Sequence, residues 1–139
     1  MKIFKTKVDV LPGTNYKEIS KKAFALYNEI RRKTKRRPYV RSAYFNKEKI
    51  FLSLYWQHLF KKKNWRDIIR RMRYFGCAIE LLEKSHCEPV LKYDQGNPGE
   101  MLYRFYGSTK SGELFCIQIK ESRKRNQKFL ISVFPVDEV

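Results

Sequence analysis

Leu102–Pro135 reads LYRFYGSTKSGELFCIQIKESRKRNQKFLISVFP. Tyr103 and Phe105 alternate with Arg104 and Tyr106. Phe115, Ile117 and Ile119 alternate with Cys116, Gln118 and Lys120. Phe129, Ile131 and Val133 alternate with Lys128, Leu130 and Ser132. A period of two marks strands with one buried and one open face. The polar, glycine-bearing run Gly107–Gly112 and the polar run Glu121–Lys128 supply turns between them. The stretch therefore predicts a three-stranded antiparallel meander. Its open face would carry Arg104, Tyr106, Gln118, Lys120, Lys128 and Ser132. Such a set either binds phosphate and stacks a base or is an ordinary solvated face.

Upstream, the chain reads as helical. Asn15 with Glu18, and Asn64 with Asp67, have the three-residue spacing of capping boxes. The first opens a helix whose apolar face is Tyr16, Ile19, Ala23, Leu26, Tyr27 and Ile30, bounded by Pro38. A second helix is expected over roughly 47–62, capped by Asn46 and stapled by Phe45 onto Ile50. It is apolar almost all round, hence central, and carries His58. The third runs from Asn64 to near Ser85. Val90–Tyr93 is a further strand, followed by the turn-rich DQGNPG at 94–99 and, at the end, an acidic tail from Val136. Met1–Leu11 is an edge strand or an arm.

Helices first and a meander after them give the α+β class, with N-terminal helices packed on one face of a C-terminal antiparallel sheet. At 139 residues, one domain is expected over 1–139: a basic arm and first helix (1–41), a helical part (42–86) and the sheet (88–135).

The formal charge of +17 is unevenly placed. Residues 1–73 hold 22 Lys and Arg against 5 Asp and Glu, whereas 74–139 hold 9 of each. Arg31–Arg41 has seven basic residues and no acid, so that helix end should fray without a counter-anion. Arg36, Arg37 and Arg41 in this run, and the Arg66, Arg70, Arg73 stripe beside Lys61–Lys63, are the candidate nucleic-acid contacts. Each is otherwise a solvated surface. A polyanionic partner, RNA first, accounts for the asymmetry. No apolar run is long enough to cross a bilayer, and a cytoplasmic protein is expected. Cys77, Cys87 and Cys116 lack paired spacing, so buried thiols are a simpler reading than a zinc site at His86–Cys87.

No P-loop, dinucleotide fingerprint or paired carboxylates for magnesium occur. A nuclease built from these residues would be metal-independent and need no cofactor. In that route the ribose 2′-OH attacks the adjacent phosphorus, helped by a base, an acid and cations. His58 has the right intrinsic pKa for acid–base work, or is a half-core histidine. Arg104 and Lys120 can hold phosphate, Ser132 can bond it, and Tyr106 and Gln118 can touch the nucleic acid. The same face also fits a binding protein that cuts nothing.

Helices followed by an antiparallel sheet, with RFYGSTKSGELFCIQIKE and KFLISVFP, resemble the barnase–EndoU–colicin D–RelE-like nuclease domains. The likeness is closest to the group met in phage and other mobile elements. It covers most of Arg41–Pro135 and rests on Arg104, Thr109, Gly112, Lys120 and Ser132. The resemblance implies a toxin-like, metal-independent endoribonuclease with His58, Arg104, Lys120 and Ser132 as catalytic residues. It leaves room for an antitoxin or immunity protein as a second partner. The alternative is a non-catalytic nucleic-acid-binding protein of a phage or mobile element.

Overall fold

The computed structural model describes residues 2–93, 96 and 99–137. Most of the expected 94–99 loop and the end of the acidic tail lie outside the described residues. The elements, in order, are β1 (Ile3–Lys5), α1 (Tyr16–Lys33), β2 (Tyr39–Ser42), β3 (Glu48–Phe51), α2 (Ser53–Phe60), α3 (Trp65–Met72), α4 (Phe75–Lys84), β4 (Val90–Tyr93), β5 (Glu100–Ser108), β6 (Leu114–Ser122) and β7 (Gln127–Pro135).

The meander forms as the alternation requires: β5, β6 and β7 pair antiparallel, and β4 adds to β5 antiparallel. The sheet as a whole is mixed, not antiparallel as expected. Its order is β1-β5-β6-β7-β3-β2 with β4 also on β5, and β1 and β3 pair parallel to β5 and β7. Both parallel pairs join segments far apart in sequence, where no short turn signals the pairing.

The β2–β3 hairpin replaces the start of the expected second helix. Asn46 and Lys47 both take positive φ, 56° and 67°, so Asn46 is a turn residue rather than a helix cap. Phe45 packs edge-on against Tyr103 and Phe105 instead of stapling a helix. The helix shrinks to Ser53–Phe60. The expected third helix breaks after Met72 and restarts at Phe75.

Both asparagine caps are present. The Asn15 side chain accepts from the Glu18 N–H, and that of Asn64 from the Arg66 and Asp67 N–H groups. The basic end of α1 remains helical through Lys33. Its last-turn cations Arg31, Arg32 and Lys33 face the negative end of the helix dipole, and Thr34 Oγ1 donates to the Ile30 carbonyl at 3.1 Å.

Phe105, Phe115, Ile117, Ile119, Leu130 and Val133 form the apolar floor of the core. Tyr74 and Leu81, at and within α4, close over Phe115, and α1 packs behind. Gly107 lies in β5 rather than in the turn. A Cβ there would overlap the Phe115 ring, so only glycine lets that ring cross the sheet. The helices do not all share one face. β3 ends at Phe51, and α2 and α3 pack beside the remaining length of β7.

A bulge in β7 changes the alternation. Gln118 pairs with Ser132 but Ile119 pairs with Leu130, leaving Ile131 as the extra residue. Leu130 therefore turns into the core, while Phe129 joins the polar face opposite Lys120. Lys128 leaves the open face expected for it. It is buried beneath Phe45, with Nζ 2.8 Å from Glu48 and 2.9 Å from Glu121.

Candidate active site

Register places one polar row across the meander: Arg104 opposite Gln118, and Gln118 opposite Ser132. Arg104 Nε donates to Gln118 Oε1 at 3.0 Å, which fixes the guanidinium on this face. One row along lie Leu102, Lys120 and Phe129. On the other side lie Tyr106, Cys116 and Phe134.

The helices supply the opposite wall. Because β3 hands the chain straight to α2 beside β7, His58 comes to the edge of the polar row. Lys62 follows just past the end of α2, where its backbone N–H donates to the Leu59 carbonyl at 3.2 Å. Arg71 arrives from α3, where its Nε donates to Asp67 Oδ2 at 3.1 Å and its guanidinium lies 5.5 Å from the Phe134 ring centre. Together Tyr55, His58, Lys62, Arg71, Gln118 and Ser132 line a cavity of about 260 Å³, with Leu59, Ile131 and Val133 as its apolar part.

Partial desolvation lowers the pKa of His58 below the ordinary imidazole value. The ammonium groups of Lys61, Lys120 and Lys62 act in the same direction. Its imidazole is therefore mainly neutral at pH 7, the form that accepts a proton. Burial raises the pKa of the Tyr55 phenol well above its usual value, and the Arg71 charge opposes this only in part. The Tyr55 hydroxyl is buried and has no hydrogen-bond partner among the described residues. Lys120 is paired with Glu100 at 3.0 Å. Both belong to an adjoining concavity of about 370 Å³ that also includes Lys124, Arg125 and Phe129.

Among the candidates read from the sequence, His58, Gln118 and Ser132 meet in one cavity. Arg104 adjoins it through Gln118, and Lys120 stands one row away, within electrostatic reach of His58. Tyr106 lies two residues beyond Arg104 on the same face, opposite the buried Cys116. Arg36 and Arg37 line a separate concavity, and Arg41 donates to the Lys47 carbonyl at 3.0 Å on the same hairpin. Arg66, Arg70 and Arg73 face another depression, shared with Glu113 and Asp137. Arg70 is paired there with Asp137 at 3.5 Å.

Tyr55, Lys62 and Arg71 were not among the expected site residues. The cue for Lys62 is its spacing from His58. Arg71 lies outside the arginine stripe and gives no cue of its own. Among the described residues, no three His, Cys, Asp or Glu side chains converge as metal ligands. Burial pushes the thiols of Cys77 and Cys116 up to about 11, as expected for unreactive core cysteines. No helix among the described residues is long and apolar enough to cross a membrane.

No family model, curated protein or solved structure matches the chain.

Proposed function

We propose that the cavity is the active site of a metal-independent endoribonuclease. The observation that carries this reading is a mainly neutral histidine sharing one small cavity with two cations, Lys62 and Arg71, and with the Gln118 that holds Arg104. His58 takes the proton of a ribose 2′-OH. The freed oxygen bonds to the adjacent phosphorus, and the P–O5′ bond breaks. The departing 5′ oxygen takes a proton from the Lys62 ammonium or from water. The products are a 2′,3′-cyclic phosphate and a 5′-hydroxyl. Arg104, Lys120 and Arg71 offset charge that grows on the phosphorane, and Ser132 donates to a nonbridging oxygen. DNA lacks the attacking group and is not cut.

A toxin-like role in a phage or other mobile element belongs to the same proposal, as does the likeness to RelE- and barnase-type domains. That likeness stands on the sequence features alone. The test is cleavage of a mixed RNA in EDTA by the wild type, His58→Ala and Arg104→Ala. Cyclic-phosphate ends made by the wild type and lost in both variants support it. Cleavage that needs magnesium, or equal cleavage by His58→Ala, overturns it.

A non-catalytic RNA-binding protein is the second reading, favoured by two specific features. Lys120 is tied to Glu100, and the basic concavity around Arg36 and Arg37, with no acid among its described lining residues, is lined by none of the residues around His58. Tight RNA binding with no cleavage of any RNA tried would select it.

A further inference from the structure

Pairing registers align Tyr39, Phe51, Phe129, Lys120 and Leu102 in a single row across β2, β3, β7, β6 and β5. Partners directly opposite one another share a face, so this row lies on the polar side of the sheet. Its first three members are aromatic. The Tyr39 and Phe51 ring centres are 6.1 Å apart, and those of Phe51 and Phe129 are 5.9 Å apart. Phe129 is only 4% exposed and anchors the row, whereas Tyr39 and Phe51 are half-buried.

Cations lie over the two accessible rings. The Arg37 guanidinium is 4.1 Å from the Phe51 centre, and Lys49 Nζ is 4.7 Å from that of Tyr39. The two rings line a concavity of about 500 Å³ with Lys33, Lys35, Arg36, Arg37 and Lys49, and among the described residues no carboxylate lines it. Five like charges around an aromatic floor repel one another and gain most from an anion that also offers a flat face.

We infer that Tyr39, Phe51 and Arg37 form a base-stacking subsite for single-stranded RNA, set apart from the cavity around His58. A base that lifts Arg37 off the ring stacks on Phe51 in its place, and the surrounding lysines take its flanking phosphates. A duplex keeps its base faces inside the helix and can offer this concavity phosphates alone. The row continues to Lys120, three strand spacings from Tyr39 and on the order of 15 Å away. The inference rests on RNA being the partner, as proposed above, but not on its being cut.

The experiment uses the full chain and a fluorescent 2′-O-methyl 12-mer, which has no free 2′-OH to attack. Binding is followed by anisotropy for the wild type, Tyr39→Leu and Phe51→Leu. Leucine keeps apolar volume and removes the ring face. Each variant should bind the single strand about 5- to 100-fold more weakly, with the salt dependence unchanged. A duplex of equal length, and a single strand made abasic, should bind all three proteins alike and more weakly than the wild type binds the intact strand. Variants that bind the single strand as the wild type does, or a duplex that binds as tightly as the strand, overturn the inference. Tyr39→Leu alone decides the matter if Phe51→Leu unfolds the hairpin, because β2 is the last strand of the sheet. Cleavage of unmodified RNA by the wild type is scored separately. Its absence with stacking intact removes the nuclease and leaves the subsite, and the reverse result removes only the subsite.

Discussion

Arg104 on β5 is held by Gln118 on β6, its Nε 3.0 Å from the amide oxygen. Gln118 in turn stands opposite Ser132 and lines the cavity with His58, so one neutral side chain links a cation to the proposed acid–base residue. Gln118→Leu should free Arg104 to rotate and lower kcat by roughly tenfold to a hundredfold, with little change in KM. Gln118→Glu keeps the hydrogen bond but places a carboxylate against the guanidinium, and should depress kcat as well. Steady-state kinetics on a defined oligoribonucleotide checks both. Unchanged kcat in both variants would show that Arg104 takes no part.

The pH profile carries a sign. The His58 pKa is lowered, and the base must be unprotonated. Activity should rise with pH along a limb whose midpoint lies below the ordinary imidazole value of about 6.5, and be flat through neutrality on that side. Lys120→Gln removes one of the charges that lower this pKa, so the limb should move to higher pH. A limb that stays in place would place Lys120 out of reach of His58.

Lys128 is a stability residue, although the alternation of its strand assigns it to the open face. Burial works against its charge, but hydrogen bonds to Glu48 and Glu121 outweigh it and leave the lysine pKa raised. For Glu121, burial raises the pKa, and the Lys128 ion pair more than reverses this. The lowered Glu121 pKa gives stability that is present above its unfolded value and lost as pH falls through the folded one. The raised Lys128 pKa gives stability that is present below the lysine's unfolded value and lost as pH rises through the folded one. The network is therefore intact between the carboxylate and lysine ranges. Lys128→Met should cost about 3 kcal/mol at pH 7, because Glu48 and Glu121 are left without their shared cation. The penalty should shrink in acid, and urea unfolding at several pH values measures it.

Tyr55→Phe removes a buried hydroxyl that has no partner among the described residues. An unsatisfied buried hydroxyl costs about 1–3 kcal/mol. The variant should therefore unfold at higher urea, by roughly 1 kcal/mol. A loss of stability would mean that the hydroxyl is satisfied in solution.

Reversing charge at Arg36 and Arg37 should weaken RNA binding and flatten its salt dependence by about 0.7 in log K against log salt for each phosphate no longer neutralised. Both residues are exposed, so folding stability should move by no more than about 0.5 kcal/mol. Titrations at several salt concentrations give the slope. An unchanged slope would mean that other cations neutralise the phosphates.

Sequence alone determined the elements whose signals are local. The strict alternation in 102–135 produced β5, β6 and β7, because a strand's period of two is written into neighbouring residues. Asn15 and Asn64 marked two helix starts, because a cap bonds its own next turn. Tertiary structure decided what depends on distant partners. β3 lies at the start of a run apolar enough for a helix, and its pairing with β2 and β7 made 48–51 a strand. The β7 bulge exchanged the faces of Lys128 and Phe129, which no period of two can anticipate. His58, Arg104, Lys120 and Ser132 were legible as residue types suited to phosphate chemistry. Bringing Tyr55, Lys62 and Arg71 to the same cavity required α2 and α3 to pack beside the free length of β7. That packing follows from where β3 stops, since the exposed edge of β7 must be covered, and nothing within either helix records it.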